Sequence, residues 1–263
     1  MSNYRIYISI AIFIFYASFS FAQKNSGFEP ELFVNQSDTL QYRILMPKNF
    51  DASKQYPLVL FLHGAGERGS DNEAQLTHGS KLFASRKNRR NFQSIVVFPQ
   101  CPESSYWANV KIDRTSKPIK IDFPVGVEPT KPMALVMQLI DSLTLKPFVN
   151  KNRVYVGGLS MGGMGTFEIL YRKPKMFAAA IAICGAGNPE TAKSYAKTTP
   201  LWVFHGANDN VVNPRASVKM VDGILEYGGK PNFTLYAKDN HNSWDSAFAE
   251  PELLPWLFSN IKN

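Results

Sequence analysis

The sequence predicts an α/β domain, a mostly parallel twisted sheet with helices on both faces. Three observations carry this expectation. Short apolar runs recur along the chain and are continuous rather than alternating, as in strands buried on both sides. Stretches with helical spacing lie between them, some closed by glycine or proline. With 263 residues, 44% of them hydrophobic and 19% charged, the chain can bury one full core and is too apolar to be disordered.

Residues 1–22 read as a signal peptide. Arg5 precedes the apolar run Ile6–Phe15, and Ser20 and Ala22 fit the small-residue rule for cleavage after Ala22. The expectation is a single domain over 23–263, exported to the periplasm or medium, with no membrane span once the signal is removed. Leu40–Met46 alternates and reads as a half-exposed edge strand. Strands buried on both faces are expected at Pro57–Leu62, Ser94–Phe98, Val154–Val156, Ala179–Ile183, Leu201–Phe204 and Phe233–Tyr236. Helices are expected at Met133–Leu143, Met164–Tyr171, Ala216–Tyr227 and Glu252–Ile261. Lys111–Pro132 shows no period and reads as a long surface loop. The basic run Arg86–Arg90 reads as a solvated helix end. A net charge of +8 bears on association and not on fold, and weakly favours an anionic polymer as partner; export makes nucleic acid an unsuitable one.

An open parallel sheet binds ligands at the carboxyl ends of its strands, so the polar residues there are the candidates. After Val156 comes Gly158-Leu159-Ser160-Met161-Gly162, a G-x-S-x-G pattern between a strand and a helix. It describes a sharp turn that lifts a serine hydroxyl above the sheet, with glycines where side chains would collide. After Phe204 lies Asp209, able to orient an imidazole or simply to initiate an Asx turn. After Tyr236 lies His241. Among His63, His78, His205 and His241, only His241 follows both Ser160 and Asp209. The order Ser…Asp…His is that of the α/β-hydrolase triad.

Directly after the Pro57–Leu62 strand runs His63-Gly64-Ala65-Gly66-Glu67-Arg68-Gly69. Acyl transfer needs two fixed N–H donors for the oxyanion, and Met161 and Ala65 are the expected pair. Gly64 and Gly66 are read as allowing close backbone approach. Gly64, Gly66 and Gly69 also match a dinucleotide fingerprint. The following strand, however, ends Val97-Phe98-Pro99-Gln100-Cys101 without the acid that a ribose needs. The histidines and cysteines lack metal-ligand spacing, so no metal and no cofactor is expected. Arg68, Gln100, Trp107 and Trp244 lie in loops at the same rim and are candidates for lining a substrate pocket.

The segments Tyr56–Asn72, Val97–Pro102, Val154–Thr166, Phe177–Gly185 and His241–Phe248 resemble the dienelactone-hydrolase-like and feruloyl/acetyl-xylan esterase-like α/β-hydrolases. Those are exported carboxylesterases of the phospholipase/carboxylesterase or prolyl-oligopeptidase-like type. The likeness runs from about Leu40 to the C-terminus. It implies a cofactor-free serine esterase with Ser160 as nucleophile, Asp209 as orienting acid and His241 as base. The substrate would be an acetyl, feruloyl or similar ester on a glycan or small molecule. Two other readings remain, a serine peptidase of prolyl-oligopeptidase type and a non-catalytic binding module. The implied strand order puts the strands ending at Cys101 and Cys184 three spacings apart, about 14 Å, so two free buried thiols are expected.

Overall fold

A computed structural model describes residues 27–35, 38–113, 115 and 120–262. Residues 1–22, expected to be a signal peptide, lie outside the described residues. Among these, no helix is long and apolar enough to cross a membrane.

The chain opens with a hairpin of β1 (Glu29–Asn35) and β2 (Asp38–Leu45), then runs through β3 (Tyr56–Leu62), α1 (Ser80–Ala84), α2 (Arg86–Asn91) and β4 (Ile95–Pro99). A small hairpin follows, β5 (Lys111–Asp113) and β6 (Lys120–Asp122), and then α3 (Lys131–Thr144), capped by the Thr130 hydroxyl with Pro132 in its first turn. The second half mostly alternates: β7 (Val149–Leu159), α4 (Met161–Arg172), β8 (Ala179–Ile183), then a 3₁₀ segment (Pro189–Ser194) in place of a helix, β9 (Leu201–Gly206), α5 (Arg215–Glu226) and β10 (Asn232–Tyr236). Two helices close it, α6 (Trp244–Ala249) and α7 (Leu253–Ser259).

Among the described residues, eight strands form one sheet in the order β1-β2-β4-β3-β7-β8-β9-β10. From β4 to β10 the pairs are parallel, while β2 runs antiparallel to β4 and β1 antiparallel to β2. Because successive strand side chains point to opposite faces, each central strand feeds two cores. Leu58, Leu60, Val154, Val156, Ala180 and Val203 meet α3, α4 and α5. Val59, Phe61, Tyr155, Ile181 and Phe204 meet Phe83 of α1 and Leu253, Leu254 and Leu257 of α7. Helices therefore cover both faces, as the continuous apolar runs require.

Three expectations change. Phe233–Tyr236, expected to be buried on both faces, lies in β10 at the edge of the sheet, where no strand covers its far side and Leu235 is 45% exposed. Leu40–Met46 is not an edge strand, because β1 pairs along its whole length and becomes the edge. The long loop is not featureless either. Beside the β5–β6 hairpin, Ile121 and Phe123 pack on Met164, Ala186 and Val212, a third apolar cluster above the sheet. The basic run forms α2, where Arg86, Lys87 and Arg90 are exposed and Arg89 donates to the Met46 carbonyl at 2.9 Å. Cys101 and Cys184 are free and buried, at the ends of strands three places apart in the sheet.

Candidate active site

The turn from β7 into α4 holds Ser160 at φ 53°, ψ −117°, a conformation an L-residue adopts only when its surroundings impose it. The flanking glycines are imposed in turn. A Cβ on Gly158 would sit 2.3 Å from the Gly162 carbonyl oxygen, and one on Gly162 would sit 1.9 Å from that of Leu62. Backbone crossing backbone leaves no room for any side chain. The Ser160 N–H is anchored to the Ile183 carbonyl at 2.9 Å. Its hydroxyl stands above the sheet, beside the first turn of α4.

There Ser160 Oγ lies 2.9 Å from His241 Nε2, and His241 Nδ1 lies 2.7 Å from Asp209 Oδ2. Residues distant in sequence thus meet on one rim, each at or beyond the carboxyl end of its strand. The loops are tied together as well, since Asn240 Oδ1 accepts the N–H groups of Asn210 and His241. Asp209 fills both roles that its position allowed. Its Oδ1 accepts the N–H groups of Val211 and Val212 at 2.8 and 2.9 Å, an Asx-type turn, and its Oδ2 faces His241. Burial opposes the ionised form of this carboxylate, but bonds from His205, His241 and the two backbone N–H groups hold its pKa well below the usual value.

His205 is a partner the sequence reading missed. Fully buried on β9, it places Nε2 3.1 Å from Asp209 Oδ2 and 2.9 Å from the Val212 carbonyl. Facing two acceptors, that nitrogen carries the proton. Nδ1 lies 2.7 Å from Ser217 Oγ, itself 3.0 Å from the Gly185 carbonyl. The available signal was the four-residue spacing of His205 and Asp209 across a strand end.

The His63–Gly69 loop sits across from Ser160. His63 is buried, with Nδ1 2.7 Å from the Gly64 carbonyl and Nε2 2.9 Å from the Cys101 N–H. The proton therefore resides on Nδ1, and burial pushes the pKa down to about 4. Ala65 begins a single 3₁₀ turn and Met161 begins α4. The first N–H groups of a helix have no acceptor within it, so both positions suit an incoming anion. Gly64 is crowded, with Glu67 Oε2 and Leu159 Cδ1 each 2.9 Å from a Cβ placed there. Gly66 is not: that position opens on free space, so the protein itself does not require glycine.

The four pocket candidates separate. Trp244 stands beside the site, its ring edge-on to His241 at 5.5 Å between centroids. Trp107 is fully buried beneath the loop, donating Nε1–H to the His63 carbonyl at 3.1 Å, so it supports the loop instead of lining a pocket. Gln100 is also buried, bonded to Asp71 Oδ1 and to the Asn72 N–H. It contributes to a groove of about 600 Å³ that none of Ser160, Asp209 and His241 lines. The Arg68 guanidinium donates to the carbonyls of Ala65, Glu103 and Ser105 and lies over the Tyr106 ring. A larger cleft, about 770 Å³, runs along the Asp209 loop between Phe123, Ala186, Val212 and Arg215. Among the described residues one set has metal-ligand chemistry, Cys184, Asp209 and His241. Asp209 and His241 are already bonded to each other there.

A family model described as phospholipase/carboxylesterase matches residues 126–250. Acyl-protein thioesterase 1 homolog 2 of Dictyostelium discoideum is 34% identical over 169 residues, 59% of this chain and 71% of that protein. The bifunctional acetylxylan esterase/xylanase XynS20E of Neocallimastix patriciarum is 32% identical over 171 residues, 65% of this chain but only 21% of the larger enzyme. A thermostable esterase of known structure superposes with a TM-score of 0.79 at 34% identity, covering 90% of this chain and 64% of its own. The chain thus spans less than two thirds of the length of the last two. It belongs to the phospholipase/carboxylesterase family of α/β-hydrolases.

Proposed function

We propose that the protein is an exported serine carboxylesterase that removes acetyl, feruloyl or similar acyl groups from glycans or small molecules. The observation that carries this reading is the unbroken series of contacts from Ser160 Oγ through the His241 ring to Asp209. In this mechanism Ser160 attacks the ester carbonyl while His241 Nε2 takes its proton. Asp209 holds the imidazole in the tautomer with its proton on Nδ1 and stabilises the imidazolium. The N–H groups of Ala65 and Met161 receive the oxyanion. The alcohol leaves with the proton from His241, and water then hydrolyses the acyl-enzyme by the same route in reverse.

The acetylxylan esterase relative supports an acetyl ester on a polysaccharide as substrate. The leader-like pattern of residues 1–22 supports export. Steady-state hydrolysis of p-nitrophenyl acetate tests the reading. Ser160→Ala is expected to lower kcat by several orders of magnitude, up to about a million-fold. Wild-type turnover in that variant would overturn it. Faster cleavage of an acetyl p-nitroanilide than of the matching ester would favour a peptidase instead.

A further inference from the structure

A second imidazole–carboxylate pair stands near the nucleophile, and the mechanism does not use it. Glu67 closes the 3₁₀ turn after Gly64, and its side chain is only 13% exposed. The point where a Cβ on Gly64 would sit lies 2.9 Å from Glu67 Oε2 and 3.7 Å from Ser160 Cβ, so the carboxylate and the nucleophile flank the same glycine. Oε1 is 3.7 Å from His78 Nε2, beyond a hydrogen bond. His78 rests on Trp244 at 5.0 Å between centroids, and Trp244 packs against His241. His78 is itself set by Gly79, which turns at φ +81° hard against Phe61 and Phe248. The nearest cation in the loop, Arg68, is bound to carbonyls and to Tyr106.

Among the described residues no donor reaches hydrogen-bonding distance of the Glu67 carboxylate. A partly buried acceptor without protein donors takes them from water or from a substrate placed beside it. A bare negative charge there also opposes an acidic substrate, and it opposes the oxyanion developing on the same loop until a donor covers it. Sites built to bond a substrate hydroxyl discriminate strongly against analogues that lack one, because the acceptor is then left unpaired. We propose that Glu67, backed by His78, is a specificity subsite that accepts a hydrogen bond from a free hydroxyl next to the scissile ester. It selects partly acylated sugars and other polyols over simple alkyl esters. The proposal rests on the esterase reading above and narrows its substrate class. It also runs against the whole-chain charge, since the basic surface would favour an anionic polymer while the site itself disfavours acids.

Glycerol monoacetate and ethyl acetate share the acyl group and differ in free hydroxyls, and acetylcholine replaces the hydroxyl by a cation. The wild type is expected to favour glycerol monoacetate over ethyl acetate by about tenfold or more in kcat/KM. Glu67→Ala is expected to bring that ratio close to one, and Glu67→Gln, which keeps an acceptor oxygen, to retain part of it. An unchanged ratio in Glu67→Ala, or a wild-type preference for acetylcholine over glycerol monoacetate, would overturn the proposal. If the wild type hydrolyses none of the three, the esterase reading has failed, and binding then decides the subsite alone. Saturation-transfer NMR of glycerol monoacetate with Ser160→Ala should give a signal that Ser160→Ala/Glu67→Ala loses; equal signals would overturn the subsite.

Discussion

His205 lies 3.1 Å from the same Asp209 oxygen that receives the His241 N–H at 2.7 Å. Two imidazoles on one buried carboxylate fix its rotation, and Ser217 carries the link on to the loop after β8. The third member of the site is thus held from below by a side chain that never meets substrate.

His205→Phe removes one donor from Asp209 and leaves Ser217 and the Val212 carbonyl without their partner. With Asp209 less firmly held, kcat is expected to fall about ten- to a hundredfold. His205→Gln, which can still donate, should lose less. Steady-state kinetics of the three proteins checks this; an unchanged kcat in a folded His205→Phe would make His205 a packing residue only.

Gly162→Ala is expected to abolish folding or cost more than about 3 kcal/mol, because its methyl group would meet the Leu62 carbonyl oxygen. Gly66→Ala, with free space at the same atom, should fold normally. Urea unfolding of the two variants gives the comparison.

Acid should weaken the fold through His63. Its pKa is depressed from 6.5 to about 4, so below pH 6.5 the unfolded chain binds a proton that the native chain refuses. Stability therefore falls as the pH drops from about 6.5 to 4, by about 3 kcal/mol at most. The depressed Asp209 acts in the same direction only at lower pH, below the ordinary carboxylate value. Unfolding midpoints across this range measure the loss, and His63→Asn should flatten it.

Both thiols should resist alkylation in the native protein. Burial raises Cys101 to about 12 and Cys184 well above its usual value, leaving almost no thiolate at neutral pH. Iodoacetamide at pH 8 is expected to modify neither until urea is added, as read by mass spectrometry, and the non-reduced mass should show no disulfide.

What the sequence made legible follows from burial. Strands such as Leu58–Leu62 and Ala179–Ile183 are sandwiched between helices, so they stay apolar throughout and stand out. β1 carries Leu32 and Val34 on exposed positions, with only Phe33 packed against the core, and is held mainly by its hairpin with β2, so no period marks it. For the site, chain order and strand ends sufficed to name Ser160, Asp209 and His241. Position at a strand end gives the rim but not the direction of a side chain. Trp107 and Gln100 therefore turned inward unannounced, and the buried His205 and the Glu67 carboxylate beside Gly64 went unseen.

Mass spectrometry after treatment with a fluorophosphonate tests the central claim most directly. A single phosphonyl adduct on the peptide carrying Ser160 is expected, absent in Ser160→Ala and greatly slowed in His241→Gln. An unlabelled wild-type protein, or an adduct on any other residue, would contradict it.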